Sequence, residues 1–265
     1  HVFGISHFGL YYLYSSTKNE MRAKGYSQTY LRMVQNQITA LFTHACNIYN
    51  LGNNPCKKVK KMGKADADKL NFWTKAEYDS FIRGIDKESR YFVIFEILFW
   101  TGCREGEMLA LTKSDIDFEN NQISITKTYY RTERRDIITT PKTEQSIRVI
   151  DIPEFLKKEI EAYVNRCYGL PDNERLFPIV AEAVQHKLKR ECAKSGVKQI
   201  RVHDLRHSHV AYLINQGVQP LIIKERLGHR DIKITLNTYG HLYPNQQKKV
   251  ADMLNATRNE NAPAD

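Results

Sequence analysis

The chain has 265 residues, 42% of them hydrophobic, enough for one large domain or two small ones with a buried core. Forty Lys and Arg against thirty Asp and Glu give a formal net charge of +10, which points to a polyanionic partner, nucleic acid before others. Five cysteines, an odd number without a CxxC pair, argue against a disulfide framework or a zinc ribbon and for a reducing cytoplasm.

No signal peptide is visible. The longest apolar run, Tyr91–Trp100, is interrupted by Glu96 and is too short to span a bilayer. Residues 1–16, HVFGISHFGLYYLYSS, are aromatic and match no element, so they stay unassigned. YSQTYLRMVQNQITALFTHACNIYNLG then predicts one long helix. Leu31, Val34, Ile38, Leu41, Ala45 and Ile48 form its apolar stripe, Gly52 is its stop, and Pro55 follows. Residues 57–71 read as a basic interdomain linker. Lys57, Lys58, Lys60, Lys61 and Lys64 suit a strand lying along a phosphate backbone, and they equally suit a solvated loop. In residues 1–70, ten Lys and Arg face three Asp and Glu, so this part is strongly basic.

Thr74 and Glu77 make a capping box that opens the next helix. YFVIFEILFWTG predicts a buried helix ending near Gly102. Gln122–Thr128 and Thr143–Ile152 read as strands, and Pro153 opens a helix at its first turn. From about Ile179 helices are expected over 179–196, 204–216, 219–227, 231–240 and 245–257, with Gly217 and Gly228 as punctuation. The fold class is therefore mainly α with a small antiparallel β-sheet.

Four stretches mix cationic and proton-transferring groups. They are TGCREGEMLALT with Arg104, PKTEQSIR with Lys142, HDLRHSH with His203 and Arg206, and LGH…TYGHLYP with His229 ten residues before Tyr239. Each residue also fits a plainer role. Arg104 fits an ion pair with Glu105 or Glu107, and Lys142 a solvated strand lysine. His203 fits a capping core residue, His229 a ligand of helix-end carbonyls, and Tyr239 a packing tyrosine. His203 and His207, four apart on a helix with His209 near, raise a metal site as a rival. The HExxH glutamate is absent, however, and an arginine lies between the two histidines, so no metal is assigned.

Taken together, two arginines, a lysine, two histidines and a tyrosine suit an anionic centre such as a phosphodiester. Guanidiniums clamp the non-bridging oxygens, a tyrosine oxygen attacks phosphorus, and histidine and lysine move the protons.

These boxes, in this order, resemble those of the tyrosine recombinase (phage integrase) family. The nearest subgroup is the integrases of conjugative transposons and phages of Gram-positive bacteria. The resemblance covers Asn71 to about Asn255 and, more weakly, Tyr26–Pro55. It implies a partial helical core-binding (SAM-like) DNA-binding domain over 17–56, a mixed α/β catalytic domain over 72–258, and a flexible tail over 259–265. The implied activity is site-specific cutting and rejoining of DNA through a 3′-phosphotyrosyl intermediate, without ATP or other cofactor, to integrate or excise a mobile element.

Residue by residue, the resemblance makes Tyr239 the nucleophile in preference to Tyr243. Arg104 and Arg206 become the phosphate clamp and Lys142 the general acid, with Lys127 as fallback. His203 handles protons, and His229 supports the phosphate or the nucleophile. Glu107 becomes a structural residue and Asp204 a helix cap. The implied partners are double-stranded DNA, three further copies of the chain in a homotetramer on DNA, and an accessory directionality factor. The tail Asn245–Asn259, with Val250, Met253 and Leu254 on one face, is expected to dock on a neighbouring copy rather than on its own domain. The subgroup usually also carries an N-terminal arm-binding domain, which is not recognised in these residues, so a truncated or N-terminally damaged product is the expectation. A DNA-binding module without recombination activity is the alternative.

Overall fold

The computed structural model describes residues 16–17, 19–21, 23–64, 71–141, 144–242 and 251. The chain packs as two compact units, residues 1–70 and 71–265. Its class is mainly α with a small antiparallel sheet. Among the described residues no helix is long and apolar enough to cross a membrane.

The first unit is built on helix α1, Gln28–Ile48. Ser27 caps it, its Oγ accepting from the Tyr30 N–H at 3.3 Å. The helix ends before the expected Gly52, because Asn50 takes the left-handed conformation at φ 53°. The expected apolar stripe is also only partly right, since Leu41 is 67% exposed and Ile48 61% exposed. The covered face is turned toward Leu31, Gln35, Ile38 and Phe42, and it packs on Cys56, Val59 and Met62. The start of the expected linker is therefore folded onto α1. The Met62 N–H donates to Gln35 Oε1, and Arg32 Nη2 donates to the Gly63 carbonyl at 2.8 Å. Gly63 lies so close to the α1 backbone that a Cβ there would meet the Gln28 carbonyl oxygen at 1.8 Å. Lys57, Lys58, Lys60, Lys61 and Lys64 are all exposed.

The second unit runs through α2 (Lys75–Arg83), α3 (Arg90–Thr101), α4 (Glu105–Ala110), β1 (Ile116–Asp117), β2 (Gln122–Ile125), β3 (Thr128–Thr132), β4 (Arg135–Thr139) and β5 (Arg148–Asp151). It continues with α5 (Glu154–Arg166), α6 (Ala181–Ser195), α7 (Asp204–Asn215), α8 (Pro220–Leu227) and α9 (Ile232–Tyr239). The Thr74–Glu77 capping box is formed as expected. Helix α3 is apolar on every side and buried on every side, in contact with α4, α5 and α7. Its one carboxylate, Glu96, is satisfied by Tyr78 Oη and Trp100 Nε1, both at 2.8 Å.

Strands β1, β2 and β5 form an antiparallel sheet in the order β1-β2-β5, with Ile123 opposite Ile150. The alternation in β2 buries Ile123 and Ile125 against the core. The strand expected over 143–152 shortens to β5, preceded by a 3-10 turn at Glu144–Ser146. Pro153 sits at the N-cap of α5 rather than in its first turn. The hairpin β3–β4 was not expected. Its turn residues Glu133 and Arg134 both have positive φ, 48° and 63°. Such turns normally carry Asn-Gly, which is why the sequence hid it. The helix expected over 245–257, Tyr243 and Lys142 lie outside the described residues, apart from Ala251.

Candidate active site

An open cavity of about 580 Å³ is lined by Arg104, Glu107, His203, Arg206, His207, His229 and Tyr239. Five of the six expected site residues therefore converge. The sixth, Lys142, is outside the described residues, while Pro141 and Ser146 on either side of it line the cavity. The fallback Lys127 is held elsewhere. Its Nζ is 2.7 Å from Asp115 Oδ2 and donates to Thr112 Oγ1 at 2.9 Å.

Arg206, on the first turn of α7, is 4% exposed. Its Nη1 donates to the Gly102 carbonyl at 2.7 Å and its Nη2 to the Leu227 carbonyl at 2.8 Å. Both acceptors are C-terminal carbonyls of helices, α3 and α8, where a cation also meets the negative dipole end. Gly102 is left-handed at φ 65°, and a Cβ there would meet His209 Cδ2 at 2.5 Å. Only glycine both turns the chain and admits α7 at that distance. Burial, with Arg104 and Arg148 nearby, lowers the Arg206 pKa to about 10.

Arg104 is held differently. Its Nη1 donates to Glu107 Oε1 at 2.7 Å and its backbone N–H to Glu107 Oε2 at 2.9 Å. Glu107 is buried and in turn accepts from Arg148 Nη2 at 2.8 Å and Nη1 at 3.3 Å. Burial pushes the Glu107 pKa up, but the Arg148 and Arg104 bonds outweigh it and leave the carboxyl below its ordinary value. Arg148 also donates through Nε to the Arg226 carbonyl at 2.8 Å, and Arg226 Nη2 donates to the Trp100 carbonyl at 2.9 Å. The sequence reading missed Arg148 and Arg226. The available signal for Arg148 was an arginine opening a strand otherwise rich in β-branched residues.

Asp204 does not cap α7 as expected. It accepts from the Arg201 N–H at 2.9 Å and from Arg201 Nη2 at 2.7 Å, tying the preceding turn. His229, just past the end of α8, shares a hydrogen bond through Nδ1 with Thr235 Oγ1 at 2.9 Å. Burial and then the Arg206 and Arg104 charges lower its pKa to about 4. His203 is exposed at the mouth, and its pKa is lowered by partial desolvation and by Arg206.

Tyr239, the last residue of α9, is 2% exposed, and burial raises its pKa to about 12 although Arg206 pulls the other way. Its hydroxyl lies 2.5 Å from His207 Nδ1. The sequence alone raises His207 only as a metal ligand. Its place one turn after His203, beside Arg206, was the signal that it also faces the site.

The Phage integrase family profile matches residues 71–246, about two thirds of the chain and all of this cavity. The chain belongs to the phage integrase family. The ICEBs1 integrase of Bacillus subtilis (strain 168) is 34% identical over 258 residues, covering 89% of this chain and 68% of that protein. Among solved structures, the Tn1549 transposon integrase in complex with a circular intermediate DNA shares the fold at TM-score 0.79 and 22% identity, over 96% of this chain and 86% of that one. The XerH site-specific recombinase bound to a palindromic difH substrate, a post-cleavage complex, shares it at TM-score 0.68 and 18% identity, over 95% and 73%. Family membership supports site-specific DNA recombination of the tyrosine-recombinase type as the chain's general activity.

Proposed function

We propose that this phage-integrase-family chain binds double-stranded DNA and cuts and rejoins it through a 3′-phosphotyrosyl bond on Tyr239, so integrating or excising a mobile element. The observation that carries the reading is the convergence of one buried tyrosine hydroxyl and two separately anchored guanidiniums on a single cationic cavity. Arg104 and Arg206 hold the non-bridging oxygens of the scissile phosphate and stabilise the charge that builds on them in the transition state. The Tyr239 oxygen attacks phosphorus as the bond to the 5′-oxygen breaks, and Lys142 supplies the proton that the 5′-oxygen takes up. The phosphotyrosine bond keeps the energy of the broken linkage, so the reverse attack by a 5′-hydroxyl reseals the strand without ATP.

His229 lines the same cavity with Nδ1 engaged by Thr235, which leaves Nε2 for the phosphate. His203 exchanges protons with solvent at the mouth. The similarity to the ICEBs1 and Tn1549 integrases supports placing the chain with conjugative-transposon integrases. In that setting it works as a tetramer on two duplexes with a directionality factor, and the exposed lysines Lys57–Lys64 lie along the DNA backbone.

The test is a covalent trap. The chain is mixed with nicked duplexes of random sequence, DNA that survives SDS on protein is recovered, and the modified residue is mapped by mass spectrometry. An adduct on Tyr239, absent from Tyr239→Phe, is expected. An adduct on another tyrosine overturns the assignment of the nucleophile. No adduct, with salt-sensitive DNA binding retained, points to a binding module without cleavage activity.

A further inference from the structure

The Tyr239 phenol is buried and must lose its proton as it attacks phosphorus. Around its oxygen the described residues offer one close acceptor, His207 Nδ1 at 2.5 Å. The rings of His207 and Tyr239 lie 5.6 Å apart between centroids, inclined at 55°. His203, by contrast, makes neither a hydrogen bond nor a ring contact with the phenol among the described residues. It stands edge-on to His207 at 5.1 Å and 88°, exposed toward solvent.

We infer that His207, rather than His203, receives the Tyr239 phenolic proton during DNA cleavage and returns it during resealing. The inference rests on the proposed role of Tyr239 as nucleophile. The balance of the step is complete. The Tyr239 oxygen–phosphorus bond forms and the phosphorus–5′-oxygen bond breaks. The phenolic proton passes to His207 Nδ1, and the 5′-oxygen takes its proton from the general acid on the other side of the phosphate.

The surroundings of His207 fit this use. In the free protein, burial first, then the neighbouring His203 and the positive charges of Arg201 and Arg206, keep the ring neutral, with Asp204 pulling the other way and His229 facing it across the cavity; its pKa falls to about 4. From α9 the facing group is Tyr239 itself. A neutral ring accepts a hydrogen bond from the phenol and holds its oxygen in place before DNA arrives. A phosphate anion seated between Arg104 and Arg206 then offsets the charges that oppose protonation, so the basicity of His207 rises when the nucleophile needs it. An Nδ1 acceptor requires the proton on Nε2, a tautomer that can be read directly.

Two measurements test the inference. Histidine ring ¹⁵N spectra of the free chain are expected to show His207 as the Nε2–H tautomer, with its Nδ1 resonance displaced in Tyr239→Phe and those of His203 and His229 changed far less. A His207 resonance indifferent to Tyr239→Phe overturns the contact. The second is the single-turnover rate at which a pool of nicked random-sequence duplexes becomes linked to the protein, followed against pH. His207→Ala is expected to slow it at least about a hundredfold and to flatten its pH profile. His207→Asn, whose side-chain oxygen can accept in the Nδ1 position, is expected to recover part of the rate and none of the pH dependence. His203→Ala is expected to cost less than His207→Ala.

Adducts formed by His207→Ala within about threefold of the wild-type rate overturn the inference and leave the proposed function standing. Full recovery of rate and profile in His207→Asn reduces His207 to a positioning residue and overturns proton transfer. A wild-type chain that forms no adduct takes down the proposed function, and this inference with it, whatever the ring spectra show.

Discussion

The two arginines that line the cavity are given one proposed use, the phosphate clamp, and the protein holds them in opposite ways. Arg206 is buried and fastened to two main-chain carbonyls at the ends of α3 and α8. Arg104 has a side chain 41% exposed and is fastened to one carboxylate, Glu107, which depends on a second buried arginine, Arg148. One wall is therefore set by backbone geometry and the other by a chain of side chains. A carbonyl cannot be deleted by substitution, so the Arg206 wall answers only to changes that move the backbone. The Arg104 wall answers to any change that removes a charge from its chain.

The sharpest way to break this comparison is Glu107→Ala. It strands Arg148, almost fully buried, without its anion and frees Arg104 together. Losing one partner of a buried pair costs about 3–5 kcal/mol, and that loss is expected in denaturant unfolding of the chain. Glu107→Gln keeps the shape and part of the hydrogen bonding, so it is expected to retain more stability while still weakening adduct formation. If Glu107→Ala unfolds at the wild-type denaturant concentration, the side-chain wall is not held as described.

Gly102→Ala probes the other wall. A left-handed alanine costs about 1–3 kcal/mol, and its methyl must displace His209 on α7, the helix that carries Arg206. A fall in melting temperature is expected, together with slower adduct formation. Gly196→Ala, a left-handed glycine at the end of α6 with open space around its Cβ position, is the matched control: it carries the conformational strain without the collision. Equal effects from the two substitutions would show that the close approach to α7 is unimportant for Arg206.

The legibility of the two walls in the sequence also differed. Arg206 and its helix were readable because H-x-x-R, a glycine stop and a solidly apolar helix are local patterns. Arg104 was readable too, but its support was not, since Arg148 lies 41 residues from Glu107 and no periodicity links them. The β3–β4 hairpin was hidden by a Glu-Arg turn, and it lies against α4, the helix that Arg104 begins. The face of α1 was misjudged because Gln35, a polar residue outside the apolar stripe, is buried to bond the Met62 backbone. His207 was passed over for a different reason. Its spacing of four from His203 puts it on the same face of α7, but only the fold of α9 back onto α7 gives it a partner there. Apart from the hairpin, whose turn is atypical, the missing information is a contact between residues distant in sequence, whereas the Thr74–Glu77 cap, the Gly102 stop and the class of the fold are written within a turn or two of chain.

Acid presses on the backbone-set wall in a third way. His209 is buried on the Arg206 wall, where burial and then the Arg226 and Arg206 charges lower its pKa to about 3. Its Nε2 accepts from Arg226 Nε at 3.2 Å. An unfolded histidine titrates near 6.5, so below that pH the unfolded chain binds a proton that the folded chain refuses. Stability from this group is fully present above about pH 6.5 and falls as the pH drops toward 3, by at most about 1.4 kcal/mol per pH unit. His207 and His229, lowered to about 4, act in the same direction, but their partial exposure makes their share smaller. His209→Gln keeps an acceptor for Arg226 and cannot titrate. Its unfolding free energy is expected to decline less steeply than wild type between pH 6.5 and 5, with little difference in slope above pH 7. Parallel curves for the two proteins would mean that His209 takes up its proton without leaving the wall, and that the backbone-set side of the cavity tolerates a buried charge that its geometry leaves no room to solvate.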